Sequence, residues 1–181
     1  KKIFYFFNKK RKIDPKSRLF NRELGGGCIL DLGCYTSSFS LLIASLISKV
    51  NIDNLKLQNV VRQIGETGVD IESSAELYFQ SGFKSKIFSS FKNNLGYSSI
   101  IKGDKGKIIL NNTWAGGDII LKDTNNSNKI IKQDSNINIY SYQIKEISKR
   151  ILNKKNSPSF PVMSLNETVE NIKVVENWKN Y

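Results

Sequence analysis

The feature that most narrows the fold is a pair of alternating runs in the middle of the chain. Ile71, Ser73, Ala75, Leu77 and Phe79 take every second position, Gln80-Ser81-Gly82 interrupts them, and Phe83, Ser85, Ile87, Ser89 and Phe91 resume the same period. A period of two sends successive side chains to opposite faces of a strand, and a glycine-bearing break reverses the chain, so the two runs are the arms of a hairpin. Shorter runs extend the pattern on both sides. Leu55 to Gln63 precedes the hairpin, and Tyr97 to Lys102 meets Lys107 to Asn111 across the turn Gly103-Asp-Lys-Gly106. Asp118 to Leu121 and Lys129 to Gln133 follow. Ile3 to Phe7 is a continuous apolar and aromatic run, consistent with a strand buried on both faces, although its period alone also allows a helix. The expected product is a mostly antiparallel sheet of seven or eight strands.

Helical periods flank this sheet. From Cys28 to Ser48, the residues Ile29, Leu30, Leu32, Phe39, Leu42, Ile43, Leu46 and Ile47 form a broad stripe suited to packing on a sheet. Gly33 within it costs roughly 1 kcal/mol relative to alanine, which points to a close approach, by a ligand ring or a neighbouring strand. Near the other end, Tyr140, Ile144, Ile147 and Ile151 share one helix face, and a linker with Pro158 and Pro161 ends that helix. Ser164-Leu-Asn-Glu167 has the form of a capping box, with Leu165, Val169, Ile172 and Val175 as the stripe behind it. Both closing helices read as core-covering scaffold. The fold class is therefore α+β, a large open sheet with helices packed on one face.

Chemistry concentrates before the first helix. The basic cluster Lys9 to Lys12 ends the first strand, Asp14-Pro15-Lys16-Ser17 is a turn, and Arg18 to Leu24 leads to three consecutive glycines, Gly25 to Gly27. There the backbone can turn sharply and approach another surface with no Cβ in the way. If the helix starts at these glycines, Asp31 and Tyr35 lie four residues apart on one face. Arg18 reads either as a contact for a substrate or cofactor phosphate or as a surface arginine.

The pattern Gly-Gly-Gly-x-x-x-Asp-x-Gly-x-Tyr followed by an apolar helix resembles the second domain of the Gfo/Idh/MocA family of NAD(P)-dependent sugar oxidoreductases, closest to its dihydrodiol dehydrogenase-like and sugar dehydrogenase members. The resemblance implies that Tyr35 is the proton-transfer residue and that Asp31 helps bind substrate hydroxyls. Gly26 and Gly27 become points of close approach for a cofactor. It implies a sugar, polyol or related secondary alcohol as substrate and NAD or NADP as cofactor, with a homo-oligomer formed through the open sheet face. Members of the inositol dehydrogenase type carry histidine where Tyr35 stands, and this chain has no histidine. A phenol with a pKa near 10 is a poor base at neutral pH without a nearby cation. In the family that cation is the lysine of a Glu-Lys-Pro motif in the preceding Rossmann domain. Neither Glu-Lys-Pro nor a GxGxxG fingerprint after a strand occurs here. Residues 1–181 therefore correspond to the C-terminal substrate-binding and oligomerisation domain alone, expected to be inactive without the Rossmann domain.

Size and charge set the remaining bounds. At 181 residues, 39% of them hydrophobic, the chain suits one folded domain with a sizeable core. The longest apolar run, around Phe39 to Ile47, is short of the ~20 residues that cross a bilayer, and Ile3 to Phe7 is too short for a signal peptide. The absence of a starting methionine reads as a cut within a longer protein. A net charge of +12 raises the alternative of a basic nucleic-acid-binding module. The lysines, however, are spread from Lys1 to Lys179, and the densest cluster, Lys9-Lys10-Arg11-Lys12, follows a strand-like segment rather than being interleaved with stacking aromatics, as a solvated surface would have it. Cys28 and Cys34 project in different directions from one helix, which disfavours a disulfide, and two thiols without imidazole make no zinc site. The expected setting is reducing and cytoplasmic, with no metal, nucleic-acid or membrane partner. A binding or scaffold protein of the same fold without a cofactor is the other alternative.

Overall fold

The computed structural model describes residues 2–8, 12–94, 96–125, 127–133, 138–155, 158 and 160–181, the first segment by its backbone. Eight strands form one sheet: β1 (Lys2–Asn8), β2 (Lys56–Ile64), β3 (Asp70–Tyr78), β4 (Lys84–Ser90), β5 (Ser99–Gly103), β6 (Gly106–Leu110), β7 (Ile119–Asp123) and β8 (Asn128–Ile131). Their order is β2-β3-β4-β1-β5-β6-β7-β8. Neighbours are antiparallel except β1 and β4, which run parallel with Tyr5 opposite Ile87. The expected strands are all present, and β1 lies at the centre of the sheet. Part of the basic cluster after it falls outside the described residues.

The alternation in the hairpin has the expected consequence. Ser73, Ala75, Leu77 and Phe79 of the first arm, and Phe83, Ser85, Ile87 and Ser89 of the second, are buried beneath the helices. Across the opposite face run polar and half-buried pairs, including Lys86 Nζ 3.9 Å from Glu76 Oε1 and the Lys84 ammonium 4.8 Å from the Tyr78 ring centre. Two helices cover the buried face: α1 (Cys34–Ile47), continuous with a π-helical turn over Ile29–Gly33, and α3 (Leu165–Asn180). A further helix, α2 (Ile139–Leu152), lies between β8 and α3 in the chain.

The helical stripes depart from expectation in informative ways. In α1 the inward face is carried by Leu41 and Ala44 together with Thr36, Ser37 and Ser40, whereas Leu46 and Ile47 are exposed. Buried hydroxyls are tolerated because they bond back to the helix: Thr36 Oγ1 donates to Gly33 O at 3.0 Å and Ser40 Oγ to Thr36 O at 2.8 Å. Ser40 Oγ also shares a 2.7 Å hydrogen bond with Ser85 Oγ of β4, so small polar side chains bring helix and sheet together. From Ile29 to Ile47 the helix is long and apolar enough by composition to cross a membrane, unlike the shorter run considered from sequence. A core helix packed on a sheet meets the same criterion.

In α3 the buried residues are Asn171, Val174, Val175 and Trp178, while Leu165, Val169 and Ile172 of the expected stripe are exposed. Its rotation is set by Asn171, which accepts from Ser37 Oγ and donates to Cys34 O at 3.0 Å. The capping box at Ser164 and Glu167 is formed as read. For α2 the scaffold expectation fails among the described residues: Tyr140, Ile144, Ile147 and Ile151 are all exposed.

Candidate active site

The loop that carries the chain to α1 is folded on itself. Ser17 N donates to Asp14 O at 2.9 Å, closing the expected turn, and a 3₁₀ turn over Arg18–Phe20 follows. Phe20 is buried with its ring centre 5.5 Å from that of Phe91. Gly26 N then donates to Asn21 O at 2.8 Å and Gly27 N to Leu19 O at 2.9 Å. A Cβ on Gly26 would stand 2.7 Å from both of those carbonyl oxygens. One on Gly27, at φ +119°, would stand 2.6 Å from Asp70 Oδ1. The tight approaches of both glycines are thus made to their own chain.

Asp70 explains why the chain turns here. Its buried carboxylate, at the start of β3, accepts from Ile29 N at 2.7 Å and so satisfies one of the free amides at the beginning of the helix. The next turn is π-helical, Cys34 N reaching back to Ile29 O, a local widening that recurs at functional sites. Gly33 closes it against α3: a Cβ there would meet Trp178 Cζ3 at 2.7 Å. The close approach at Gly33 is therefore made by an indole from α3, which fills the space that the sequence leaves open to a ligand ring or a strand.

Three of the expected residues come together at this helix start. Arg18 Nη2 donates to Asp31 Oδ1 at 3.3 Å, with the guanidinium mostly exposed and Asp31 half-buried. Tyr35 follows one turn later, half exposed. Its ring centre is 5.8 Å from that of Trp114, edge to face, and Trp114 makes a similar contact at 6.0 Å with Phe39. Burial pushes the Tyr35 phenol above its ordinary pKa, with smaller electrostatic contributions from Cys34, Asp31 and Tyr140. The phenol is consequently protonated at neutral pH and suited to giving a proton to an oxygen that gains negative charge. Burial, then Asp31, raises the Cys34 thiol as well. Cys28 is pushed far above the thiol range by burial and by Asp70; its Sγ donates to Ser89 O at 3.4 Å, which makes it a packing group rather than a nucleophile.

These residues are grouped on one side of the helix start. An exposed phenol, an indole beside it and an accessible guanidinium can face a substrate from one side. They do not form a phosphate cradle, because the amides of Gly25, Gly26 and Gly27 are bonded within the loop. Among the described residues no group of three or more histidine, cysteine or acidic side chains could hold a metal. Three contributors were not singled out from sequence. Trp114 stands in a glycine-rich loop, Tyr140 shares an apolar stripe with Ile144, Ile147 and Ile151, and Asp70 is a single carboxylate at a strand end. A lone carboxylate beside a glycine turn and a tryptophan in a glycine-rich loop were the signals available.

A family model described as the GFO/IDH/MocA C-terminal domain matches residues 2–109. A comparison with curated proteins finds no match. Among solved structures, the aldose-aldose oxidoreductase from Caulobacter crescentus complexed with glycerol superposes with a TM-score of 0.76 at 20% identity, over 99% of this chain and 52% of that one. The 3-ketoreductase KijD10 from Actinomadura kijaniata, in complex with NADP and TDP-benzene, gives 0.76 at 12% identity, over 97% of this chain and 51% of its own. At these identities the likeness is one of fold. The chain spans about half the length of the structures it matches.

Proposed function

The chain belongs to the GFO/IDH/MocA C-terminal domain family, and from that premise we propose that it is the substrate-side half of an NAD(P)-dependent oxidoreductase. The substrate is a sugar, polyol or related secondary alcohol. What carries the reading is the convergence of Arg18, Asp31 and Tyr35 at one helix start, with the phenol half exposed and held in its protonated form. Support also comes from the match to two oxidoreductases, one complexed with glycerol and one with NADP.

In this reading the nicotinamide, when bound, supplies or removes hydride at the substrate carbon. Tyr35 moves the proton at the attached oxygen: its hydroxyl donates as a carbonyl is reduced, and its phenolate accepts as an alcohol is oxidised. Asp31 accepts from substrate hydroxyls, oriented by Arg18, whose charge offsets the carboxylate beside the phenol. The phosphates and the cation that helps ionise Tyr35 are assigned to a dinucleotide-binding unit beyond residues 1–181. Gly26 and Gly27 keep only a backbone contact as a cofactor role. The open sheet face is the proposed oligomer surface, and a cytoplasmic setting completes the reading.

The test is Tyr35→Phe in the polypeptide that includes the cofactor unit. Turnover should fall by about 10²–10⁴-fold, the range for losing a general acid–base group, while NAD(P)H affinity stays nearly unchanged. Undiminished turnover would remove Tyr35 from this role. Sugar binding without nicotinamide binding would favour a cofactorless binding protein instead.

A further inference from the structure

The loop between β6 and β7 is braced at both ends. Thr113 N donates to Tyr97 O at 2.9 Å, and Thr113 Oγ1 shares a 2.6 Å hydrogen bond with the buried Ser99 Oγ. At the far end Gly117 N donates to Gln133 Oε1, and Gln133 N donates to Asp118 Oδ1 at 3.2 Å. Between the two, Ala115 N donates to Asn112 Oδ1 at 3.3 Å, and the Gln133 side chain fills the space where a Cβ on Gly116 would stand. A segment held at so many points presents its largest side chain in a defined direction. That side chain, Trp114, leaves its own loop and seats on two rings of α1 one turn apart, those of Tyr35 and Phe39. Both contacts are edge to face, the geometry that aromatic quadrupoles prefer.

We infer that Trp114 is the positioning residue for Tyr35: the braced loop holds its indole against Phe39 and the phenol ring, fixing the direction of the hydroxyl and shielding one side of it from water. The catalytic meaning of that role rests on the reading of Tyr35 as the proton-transfer group. The placement of the two rings does not.

Among the described residues, the charged and titratable groups that act on the phenol are Cys34 and Asp31 from its own helix, Arg18 through Asp31, and Tyr140 from α2. Burial outweighs their charges in raising the phenol, and the indole supplies part of that burial. Removing the indole therefore lowers the pKa of Tyr35 towards the ordinary value, while the Asp31 carboxylate keeps it from falling below. A phenyl ring in its place keeps most of the shielding.

The experiment follows tyrosinate absorbance against pH in the full chain, with the Tyr35 step identified as the difference between wild type and Tyr35→Phe. In Trp114→Leu the step should move to lower pH, and in Trp114→Phe it should stay near its wild-type position. A step unmoved in a folded Trp114→Leu overturns the inference. Should Trp114→Leu fail to fold, tryptophan emission of the wild-type chain decides. Ionised Tyr35 at this distance should quench Trp114, giving a drop in emission at the Tyr35 step that is absent in Tyr35→Phe, and identical curves overturn the placement. In the assembled oxidoreductase, Trp114→Leu should lower kcat by about tenfold or more with KM little changed, and Trp114→Phe should recover most of the loss. If Tyr35→Phe leaves turnover intact, the functional reading fails while the two titrations still decide the role of Trp114.

Discussion

The start of α1 and the length of α2 are both apolar helical segments, and they are held in opposite ways. At the start of α1, Asp70 caps Ile29, Gly33 admits the Trp178 ring, and Asn171 bonds to Ser37 and Cys34, so each of these three contacts comes from a distant part of the chain. Among the described residues, the hydrogen bonds of α2 are local. Asn138 Oδ1 accepts from Tyr140 N at 2.9 Å, Arg150 Nε donates to Glu146 Oε1 at 3.0 Å, and Arg150 Nη2 reaches Phe160 O at 3.1 Å. Yet α2 has the tidier apolar stripe. The difference teaches that a close helix contact is made by small and hydrogen-bonding residues that let backbones approach, whereas a row of large apolar side chains announces only that some surface would suit it.

Filling the space that the close contact needs is the sharpest way to test this. Gly33→Ala places a methyl group 2.7 Å from Trp178 Cζ3, in a core with no room to spare. Overpacking of this kind costs about 1–3 kcal/mol, so the urea midpoint should fall and the denaturant slope should stay as it was. An unchanged midpoint would mean that Trp178 moves aside freely and that the junction is looser than its geometry indicates. The matching substitution in the other region is Ile147→Ala. With its side chain exposed, stability should change by no more than about 0.5 kcal/mol. A loss of about 2 kcal/mol or more would break the comparison, because it would place the α2 stripe against another surface in solution.

These two helices also mark what could be read from sequence. The hairpin was legible because alternation along a strand is a property of the backbone: Ser73, Ala75 and Leu77 have no other way to share a face. The capping box was legible because all its atoms lie within four residues. Asp31 and Tyr35 shared a helix face for the same local reason, and Arg18 joined them only through the fold of the glycine loop. The rotations of α1 and α3 were not legible, since contacts far apart in sequence set them, among them Ser40 with Ser85 and Asn171 with Ser37. Trp114 was hidden likewise. Nothing near it in the chain indicates that its loop would be clamped over α1.

A smaller effect shows how far the loosely held region extends into α3. Its first turn carries the exposed Leu165 and Val169, and the capping box holds it while Trp178 anchors the other end. Glu167 Oε2 accepts from Ser164 N at 2.6 Å, and this backbone hydrogen bond keeps the Glu167 carboxyl below its ordinary pKa. The native state therefore binds that proton less readily than the unfolded chain. The associated stabilisation is present above the unfolded carboxyl pKa and is lost as the pH falls through the folded one. Because the bond is local and exposed, the loss should appear as fraying: amide exchange at residues 165–168, taken relative to the intrinsic rate at each pH, should speed up on acidification while exchange around Trp178 stays slow. Glu167→Gln should flatten this acid dependence, since an amide has no proton to gain over the range. If exchange at Val174 and Val175 accelerated in step with the first turn, α3 would be one cooperative unit, and the boundary between tightly and loosely held regions would lie outside it.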